Sequence, residues 1–477
     1  MHFNRFLAGI IVWIAFSCSP VTTKEYRDPE MLWGELYHDV TAAGLFSNPK
    51  EFWDAAPAGK AEKLLQFYRE ARKEPGFDLQ KFIAEYFTVP DYSVAYPVSD
   101  EPFEVYVAQT FRSLLTRPKD DGGSLIPTRM RYLSGGGMFP EYNYYRSFFA
   151  VKAFQSLKED SLAAAIATNA FQFIQDYGYV PYGNRSYYLG FSGFPLLSLT
   201  AEAAAENQPG LLPWYGNLMT RDYQAYMAAD HKEMPETGAY KSVVVLKGGK
   251  TLNRFYAEGK PNRYISLLKS TEWEGSSRFR AGDKQDPTRF IPVDLNAVLY
   301  HFEQMLSASF TAKKRPEYAA SFKTLGEIRK DQYDQYLYNP EKGYYYDYDF
   351  VAGKPSEAET LAAVFPLLTG LSSPEQAAAV ARKIERDFLT GNGVKDDLAG
   401  DYGSAEMNYL TILALRKAGR TDLADTLKQR WLQLNRQYFA AHRHILPAYN
   451  LKDPGSSLKT PARIDGALSV LTALLNE

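Results

Sequence analysis

Apolar residues recur at helical spacing along most of this chain, and the helical segments follow one another in pairs. In the clearest segment a stripe from Leu162 to Tyr177 lies on one helical face, and Gly178 ends the helix. Each such helix must bury its stripe against a neighbour. The pattern therefore predicts an all-α domain of successive helical hairpins joined by long loops, with no fixed-period repeat and no second domain.

The turn chemistry supports this assignment. Ser373 to Gln376 forms a capping box with a proline at the first helical position, and Thr421 is predicted to cap a later helix. A hairpin is predicted from strands 241–246 and 251–256, with another short strand over 344–350. The predicted helices are 33–45, 61–72, 102–115, 161–177, 195–206, 215–229, 293–309, 316–336, 357–369, 374–388, 405–417, 421–439 and 465–475.

Composition narrows the function classes. The chain has 477 residues, is 45% hydrophobic and carries a formal net charge of -2, so it can build a large core but offers no basic stripe for nucleic acid. Its 35 tyrosines and 29 phenylalanines suit a carbohydrate site. They equally suit a helical core with tyrosine at its rim.

The N-terminus has the features of a targeting segment. Arg5 precedes an apolar run over 6–16 that is too short for a membrane span, and Cys18, the single cysteine, follows it. This arrangement resembles the lipobox of bacterial lipoproteins, where the thiol is lipidated; an ordinary secretory signal that happens to hold a cysteine is the alternative. We expect a signal peptide at 1–17, a tether at 18–30 and a barrel domain at 31–477, exported to the cell envelope and lipid-anchored through Cys18. No disulfide is then possible.

The stretch over 270–279 carries the most chemistry. Glu272 and Glu274 flank Trp273, and a flexible run leads to Arg278. Glycoside hydrolysis needs a carboxylic acid to protonate the departing oxygen, and a sugar ring packs well on an aromatic face. An arginine can hold hydroxyls and steer the charge of a carboxylate. The alternative is a solvated surface turn.

Several further segments stand out for their order and spacing: Leu36-Tyr37-His38-Asp39-Val40, Gly76-Phe77-Asp78-Leu79, Phe87-Thr88-Val89-Pro90, Pro181 to Leu189, Leu252-Asn253-Arg254-Phe255 and Phe290 to Asn296. Together they resemble a trehalase of glycoside hydrolase family 37 across 33–475. The resemblance implies an (α/α)6 barrel, which agrees with the helix pairs.

The resemblance also implies inverting hydrolysis by an acid and a base roughly 6.5–9.5 Å apart. The family's acid, an Asp, corresponds to Glu274, whereas its base corresponds to Pro447, which cannot act as one. Asp465 and Asp401 are candidate replacements, although the first also suits a helix cap and the second a turn. Glu272 is a further candidate pocket acid or a solvated side chain.

The positions that bind sugar in the family also differ here, while framework positions are kept. Loss of the arginine and carboxylate partners removes charge-assisted hydrogen bonds, each worth about 1.5–3 kcal/mol, so trehalose should not bind as the family binds it. The changed positions are Met138 for Arg, Tyr145 for Trp, Arg146 for Asp, Tyr182 for Asn, and Asn262 with Tyr264 in the family's Arg-Pro-Glu clamp. The retained positions are Glu141, Asn184, Arg185, Trp273, Arg278 and Asp294.

We therefore expect an inverting glycoside hydrolase for a small glucoside or related oligosaccharide, with Glu274 as acid and Trp273, Tyr145 and Arg278 shaping the pocket. The alternative is a carbohydrate-binding or scaffolding barrel that has lost the chemistry. A third possibility is a lyase with Tyr145 or Tyr182 as proton donor. The six histidines show no metal-ligand spacing, and no phosphate loop or nucleophile elbow occurs, so we expect no metal, no cofactor and a monomer.

Overall fold

The computed structural model describes residues 28–92, 97–117, 119–227, 234–457 and 463–477. The predicted signal peptide, Cys18 and the tether up to residue 27 lie outside these ranges. The first helix begins at Pro29, within the predicted tether. Over the described ranges, no helix has both the length and the apolar character required to cross a membrane.

Helices dominate the described residues. In chain order they are α1 Pro29–Ala43, α2 Lys50–Trp53, α3 Ala61–Ala71, α4 Leu79–Tyr86, α5 Phe103–Ser113, α6 Tyr144–Ser156, α7 Asp160–Tyr177, α8 Leu197–Glu206, α9 Leu211–Met227, α10 Leu267–Ser270, α11 Val293–Ala312, α12 Pro316–Leu337, α13 Phe365–Thr369, α14 Pro374–Lys383, α15 Ala405–Lys417, α16 Thr421–His442 and α17 Asp465–Asn476.

The helices form two concentric layers. Among the described residues, α6, α8, α11, α13, α15 and α17 pack one against the next, and α17 returns to α6, which closes an inner ring. Helices α5, α7, α9, α12, α14 and α16 form the outer layer. This is an (α/α)6 barrel, and the predicted fold class is confirmed.

Helix α6 was missed by sequence analysis although it is central to the ring. It packs on α7 outside and on α8 and α17 within the ring. Its sequence, Tyr144 to Ser156, mixes polar residues such as Arg146 and Lys152 with aromatic ones, so its apolar residues form no single clear stripe. Helix α7 lies in the outer layer, keeps one solvent-facing side, and was predicted to within one residue.

Several predicted helix ends are confirmed and others are wrong. Gly178 adopts the left-handed conformation after α7, with φ of 85°, and the capping box of Ser373 and Gln376 forms at α14. Thr421 does not cap α16, because Arg420 occupies the cap position and makes no side-chain bond there. Residues 357–360 are not helical; Thr360 instead caps a 3₁₀ turn that leads into α13.

Strands are short and lie in the loops. The predicted hairpin exists as β6 and β7, and β5 adds a further antiparallel strand to it. The predicted strand over 344–350 is divided into β12 and β13. The strands are β1 Ala56–Pro57, β2 Phe87–Thr88, β3 Leu115–Thr116, β4 Tyr132–Leu133, β5 Gly238–Tyr240, β6 Val243–Leu246, β7 Lys250–Asn253, β8 Arg280–Ala281, β9 Lys284–Gln285, β10 Phe290–Ile291, β11 Tyr338–Asn339, β12 Tyr344–Tyr345, β13 Tyr348–Asp349, β14 Lys354–Pro355, β15 Leu389–Thr390, β16 Gly393–Val394, β17 Tyr402–Ser404 and β18 Ala448–Asn450.

The N-terminal helices α1 to α4 have an apolar cluster of their own, built around Trp33, Phe52 and Tyr68. They join the barrel through buried charge. The side chain of Lys50 is 0% exposed, and its Nζ lies 3.2 Å from Oε2 of Glu141, which belongs to the barrel. Because a buried charge needs a partner, this contact fixes how the N-terminal helices dock on the barrel.

Candidate active site

Several inner helices, among them α6, α13 and α15, begin at a cavity of about 110 Å³. That volume is several times the roughly 10–15 Å³ that one buried water needs, so the cavity can admit a small polar ligand. Its aromatic walls are Tyr145, Phe194, Trp273 and Phe365. Its charged walls are Arg146, Glu272, Asp396 and Glu406.

Arg146, in the first turn of α6, lies between three carboxylates. Its Nη1 is 3.2 Å from Oε2 of Glu272, and its Nε is 3.1 Å from Oε1 of Glu406 and 3.8 Å from Oδ1 of Asp465. The bond to Glu272 has hydrogen-bond geometry, whereas the Nε atom has no aligned acceptor among the described residues. The guanidinium is therefore held by charge more than by well-aligned hydrogen bonds.

Glu272 faces the cavity with unused bonding capacity. Its Oε1 atom is buried and accepts no hydrogen bond from any described residue. Burial raises the pKa of this carboxyl, and the neighbouring Arg146 opposes that rise. The backbone of Glu272 is left-handed, with φ of 63°, which is unusual for a residue other than glycine. Such strain is characteristic of functional sites.

Glu406 and Asp465 complete the acidic side of Arg146. Burial raises the pKa of the Glu406 carboxyl. Asp465 is shared with a second cation, because Nη2 of Arg463 lies 3.2 Å from its Oδ2. Arg463 in turn donates to the backbone carbonyl of Glu141 at 2.8 Å. The site is thus connected to the buried charges under the N-terminal helices.

Asp396 faces the same cavity from another loop and has no cationic partner among the described residues. Both of its carboxyl oxygens accept from the backbone nitrogen of Ser404, at 3.0 and 3.1 Å. Burial raises its pKa to about 7. A carboxyl with that pKa is partly protonated at neutral pH and can donate a proton.

Trp273 is held behind the cavity by contacts with Asp294 and Arg278. Its indole donates to Asp294 at 2.8 Å, and the guanidinium of Arg278 lies 4.6 Å from the indole ring. Arg278 is fully buried and forms hydrogen bonds of 2.6–3.0 Å with Asp294 and Asp347. Its donors are therefore used within the protein, and it supports Trp273 without lining the cavity.

The two carboxylates beside Trp273 have different surroundings. Glu272 lines the cavity, whereas Glu274 is exposed and is not among the lining residues. Asp465 lies beside Arg146, as described above. Asp401 lies in a surface ion pair with Lys395 at 2.8 Å and does not line the cavity.

The remaining predicted sugar-binding residues are not among those that line the cavity. Burial and the charge of Glu272 raise the pKa of Tyr182, so these two groups are close. Met138 accepts a weak bond from an N-terminal residue, Asn48. Asn262 orders its own loop by accepting from the backbone nitrogen of Tyr264 at 2.8 Å.

Sequence analysis missed Asp396 and Glu406, together with the aromatic residues Phe194 and Phe365. The only local signals were the tandem acids Asp396 and Asp397 before a short loop, and a glutamate in the first turn of α15. Neither signal is specific, because acids are common in first turns. Within the described ranges, no cluster of His, Cys, Asp and Glu has the arrangement of a metal site.

A double ring of helices around a carboxylate-lined cavity defines the class of (α/α)6 barrels. The family model described as Trehalase matches residues 44–273 and 267–466. The chain belongs to the trehalase family.

Solved structures with the same fold include two named hydrolases. Neutral trehalase Nth1 from Saccharomyces cerevisiae superposes with a TM-score of 0.59 at 16% identity, over 80% of each chain. The GH63 mannosylglycerate hydrolase from Thermus thermophilus superposes with a TM-score of 0.54 at 14% identity, over 79% of this chain and 100% of that chain. At these identities the likeness shows the fold.

Proposed function

We propose that this chain is an inverting glycoside hydrolase that acts on a small glucoside or related oligosaccharide in the cavity between Glu272 and Asp396. The observation that carries the proposal is that two carboxyls in different environments face one cavity of about 110 Å³. One is paired with a guanidinium, and the other forms no ion pair with any residue that the structure describes. Acid and base roles are assigned by such differences in environment.

In this proposal Asp396 is the acid and Glu272 is the base. Asp396, with a pKa of about 7, gives its proton to the glycosidic oxygen as the bond to the anomeric carbon breaks. Arg146 favours the ionised form of Glu272, whose unpartnered Oε1 accepts the proton of the attacking water. Tyr145 and Trp273 supply faces for the sugar ring.

The comparisons support a site of this kind. Members of the trehalase family and the mannosylglycerate hydrolase share the barrel, and that hydrolase was solved in complex with glucose. A glucose-sized occupant agrees with a cavity of about 110 Å³. The exposed Glu274 and the doubly paired Asp465 remain predicted acid and base, and they are tested beside the proposed pair.

A second candidate function follows from Arg146. Its guanidinium lies among Glu272, Glu406 and Asp465, so charge in the cavity is largely matched before any ligand enters. Such a cluster can bind sugar hydroxyls without performing chemistry. This favours a carbohydrate-binding or scaffolding barrel as the alternative, recognised by sugar binding without turnover.

The test is turnover of trehalose and a panel of glucosides and oligosaccharides, followed by NMR of the anomeric protons. Asp396→Asn and Glu272→Gln should each lower kcat by at least roughly 100-fold, which is the usual contribution of a general acid or base. Glu274→Gln is the matched control, since it neutralises the other carboxylate of the same loop; Asp465→Asn tests the other predicted base. An inverting enzyme releases the anomer opposite to that of the substrate.

Two results would reject the assignment in different ways. If Glu274→Gln abolishes turnover while Asp396→Asn does not, the acid is the residue predicted from sequence. If no sugar in the panel is hydrolysed but calorimetry detects sugar binding that Glu272→Gln weakens, the barrel binds carbohydrate without hydrolysing it.

A further inference from the structure

Arg463 lies two residues before α17 and holds the carboxylate of Asp465 by two contacts. Its Nη2 lies 3.2 Å from Oδ2 of Asp465, and its Nε lies 3.4 Å from Oδ1. The Oδ1 atom is also 3.8 Å from Nε of Arg146, which is too far for a hydrogen bond. Asp465 is therefore bound to one arginine while a second arginine lies close by.

The position of Arg463 is fixed by the segment that leads into α6. Its Nη2 donates to the backbone carbonyl of Glu141 at 2.8 Å, and its guanidinium lies 5.5 Å from the ring centre of Phe139. A Cβ atom on Gly135 would lie 2.8 Å from both Nε and Cζ of Arg463, so the glycine leaves the space that the guanidinium fills. These contacts hold Arg463 in place independently of Asp465.

Two donors of Arg146 are bonded differently. Nη1 donates to Glu272 at 3.2 Å, whereas Nε has no aligned acceptor among the described residues. A movement of about 1 Å would bring Nε within hydrogen-bond distance of Asp465. Because a guanidinium is planar and rigid, turning Nε towards Asp465 also moves Nη1 away from Glu272. Asp465 and Glu272 are therefore competing partners for Arg146.

We propose that Arg463 is a positioning residue for Arg146. By binding Asp465, it keeps the Arg146 guanidinium on Glu272. Arg463 does not line the cavity, so it acts through these two residues and touches no reacting atom. The proposal rests on the proposed function, in which Glu272 is the base. Without Arg463, the buried carboxylate of Asp465 has lost its cation, and it draws Arg146 away from the base.

The charges around Glu272 give this movement a measurable effect. Burial raises the pKa of Glu272, and the charges of Arg146 and Arg463 oppose that rise. An opposite charge within about 4–6 Å lowers the pKa of a carboxyl by about 1–3 units, so loss of the contact with Arg146 should raise it. None of the further ionisable side chains that face Glu272 or share its cavity can replace the cation, because they are the acids Glu406, Asp396, Tyr145 and Tyr182.

The experiment measures the pKa of Glu272 in the full chain without substrate. Carbon-13 NMR of labelled glutamate carboxyls gives this pKa, and the spectrum of Glu272→Gln assigns the signal. Arg463→Met removes the guanidinium, and the double variant Arg463→Met with Asp465→Asn also removes the competing carboxylate. Arg131→Met replaces an exposed arginine outside the cluster and serves as the matched control.

We expect Arg463→Met to raise the pKa of Glu272 by at least about one unit, a tenfold change in its ionisation constant. The double variant and Arg131→Met should stay close to the wild type. A crystal structure of Arg463→Met should show Arg146 bonded to Asp465 and separated from Glu272. If Arg463→Met does not fold, Arg463→Lys should show the same movement to a smaller degree, because an ammonium cannot hold both oxygens of Asp465.

The crystal structure separates positioning from charge alone. Loss of the Arg463 charge also raises the pKa of Glu272 directly, but it leaves Arg146 where it is. If Arg146 stays on Glu272 in the Arg463 variant, the proposal is overturned. It is equally overturned if the pKa of Glu272 is as high in the double variant as in Arg463→Met.

The outcomes also separate this proposal from the hydrolase. If Arg146 moves and the pKa of Glu272 rises, but the wild type hydrolyses no sugar, Arg463 positions Arg146 and the hydrolase proposal alone fails. If the wild type does hydrolyse a sugar, the acid limb of kcat/KM against pH should rise with the pKa of Glu272. A limb that stays fixed while that pKa rises would reject Glu272 as the base and leave the role of Arg463 towards Arg146 intact.

Discussion

Arg278 and Arg146 are both arginines that face carboxylates inside the barrel, yet they are bonded in different ways. Arg278 uses its Nε and both Nη atoms in hydrogen bonds to Asp294 and Asp347. Arg146 approaches Glu272, Glu406 and Asp465, but one of its donors and two of the acceptor atoms remain unaligned among the described residues. An arginine whose donors are all hydrogen-bonded within the protein supports the framework. An arginine with an unaligned donor beside a cavity can still bind a ligand.

Removing the saturated arginine should have the largest effect on stability. Arg278→Met leaves two buried carboxylates without their cation, and we expect it to lower the free energy of unfolding by about 3–5 kcal/mol. Urea denaturation followed by circular dichroism measures this. Arg278→Lys should recover only part of the loss, since an ammonium cannot match both carboxylates. A loss below that of Arg146→Met would contradict the comparison.

Replacing Arg146 should lower the free energy of unfolding by less than replacing Arg278, and the size of the loss should depend on pH. Arg146→Met is expected to lower the free energy of unfolding by about 1–3 kcal/mol, because fewer aligned hydrogen bonds are lost. Without the cation, the buried carboxyls have folded pKa values further above their unfolded values, so stability is kept at low pH and lost as pH rises. Unfolding at pH 5 and pH 8 should therefore show the larger loss at pH 8. An equal loss at both values would show that charge is not the cause.

The titration of Asp396 should give the next effect on the free energy of unfolding. Its folded pKa of about 7 exceeds the usual value for Asp, so its contribution to stability is complete below pH 4 and is lost as pH rises through about 7. Between pH 4 and pH 8 the wild type should lose about 1–3 kcal/mol relative to Asp396→Asn, a reduced figure because the carboxyl borders the cavity. Parallel urea denaturation series for the two proteins measure the difference. Parallel pH profiles would mean that Asp396 titrates normally.

The smallest effect concerns the backbone of Glu272. At φ of 63°, a glycine fits better than any residue with a Cβ atom. Glu272→Gly should therefore be more stable than Glu272→Ala by about 1 kcal/mol, the reverse of the order in a helix. Both variants lose the carboxylate, so the difference in their unfolding free energies isolates the backbone. If the two variants are equally stable, the backbone at Glu272 is not strained.

Sequence analysis predicted the outer helices and segments that overlap the inner helices α8, α11, α13, α15 and α17, because their apolar residues recur at helical spacing, while the (α/α)6 arrangement was implied by the family resemblance. It did not find α6, in which aromatic and polar residues are mixed without one clear apolar stripe. The stretch around Trp273 was singled out from its residue types, but sequence could not tell which neighbouring glutamate faces the cavity. Which glutamate faces the cavity depends on the left-handed backbone at Glu272 and on its contact with Arg146, which lies 126 positions earlier in the chain. Asp396 was beyond reach, since loops 120 positions apart, joined by Ser277 and Asp397, form the wall beside it.

Several inner helices begin at the cavity, and this has a consequence for how such a protein can diversify. Helices α6, α13 and α15 each contribute residues of their first turn to its wall. Arg146 of α6 also lies 3.8 Å from Asp465 of α17, so it stands at the junction that closes the ring. A heritable change at Arg146 can therefore alter ligand chemistry only together with the stability of that junction, and variation in specificity is coupled there to foldability.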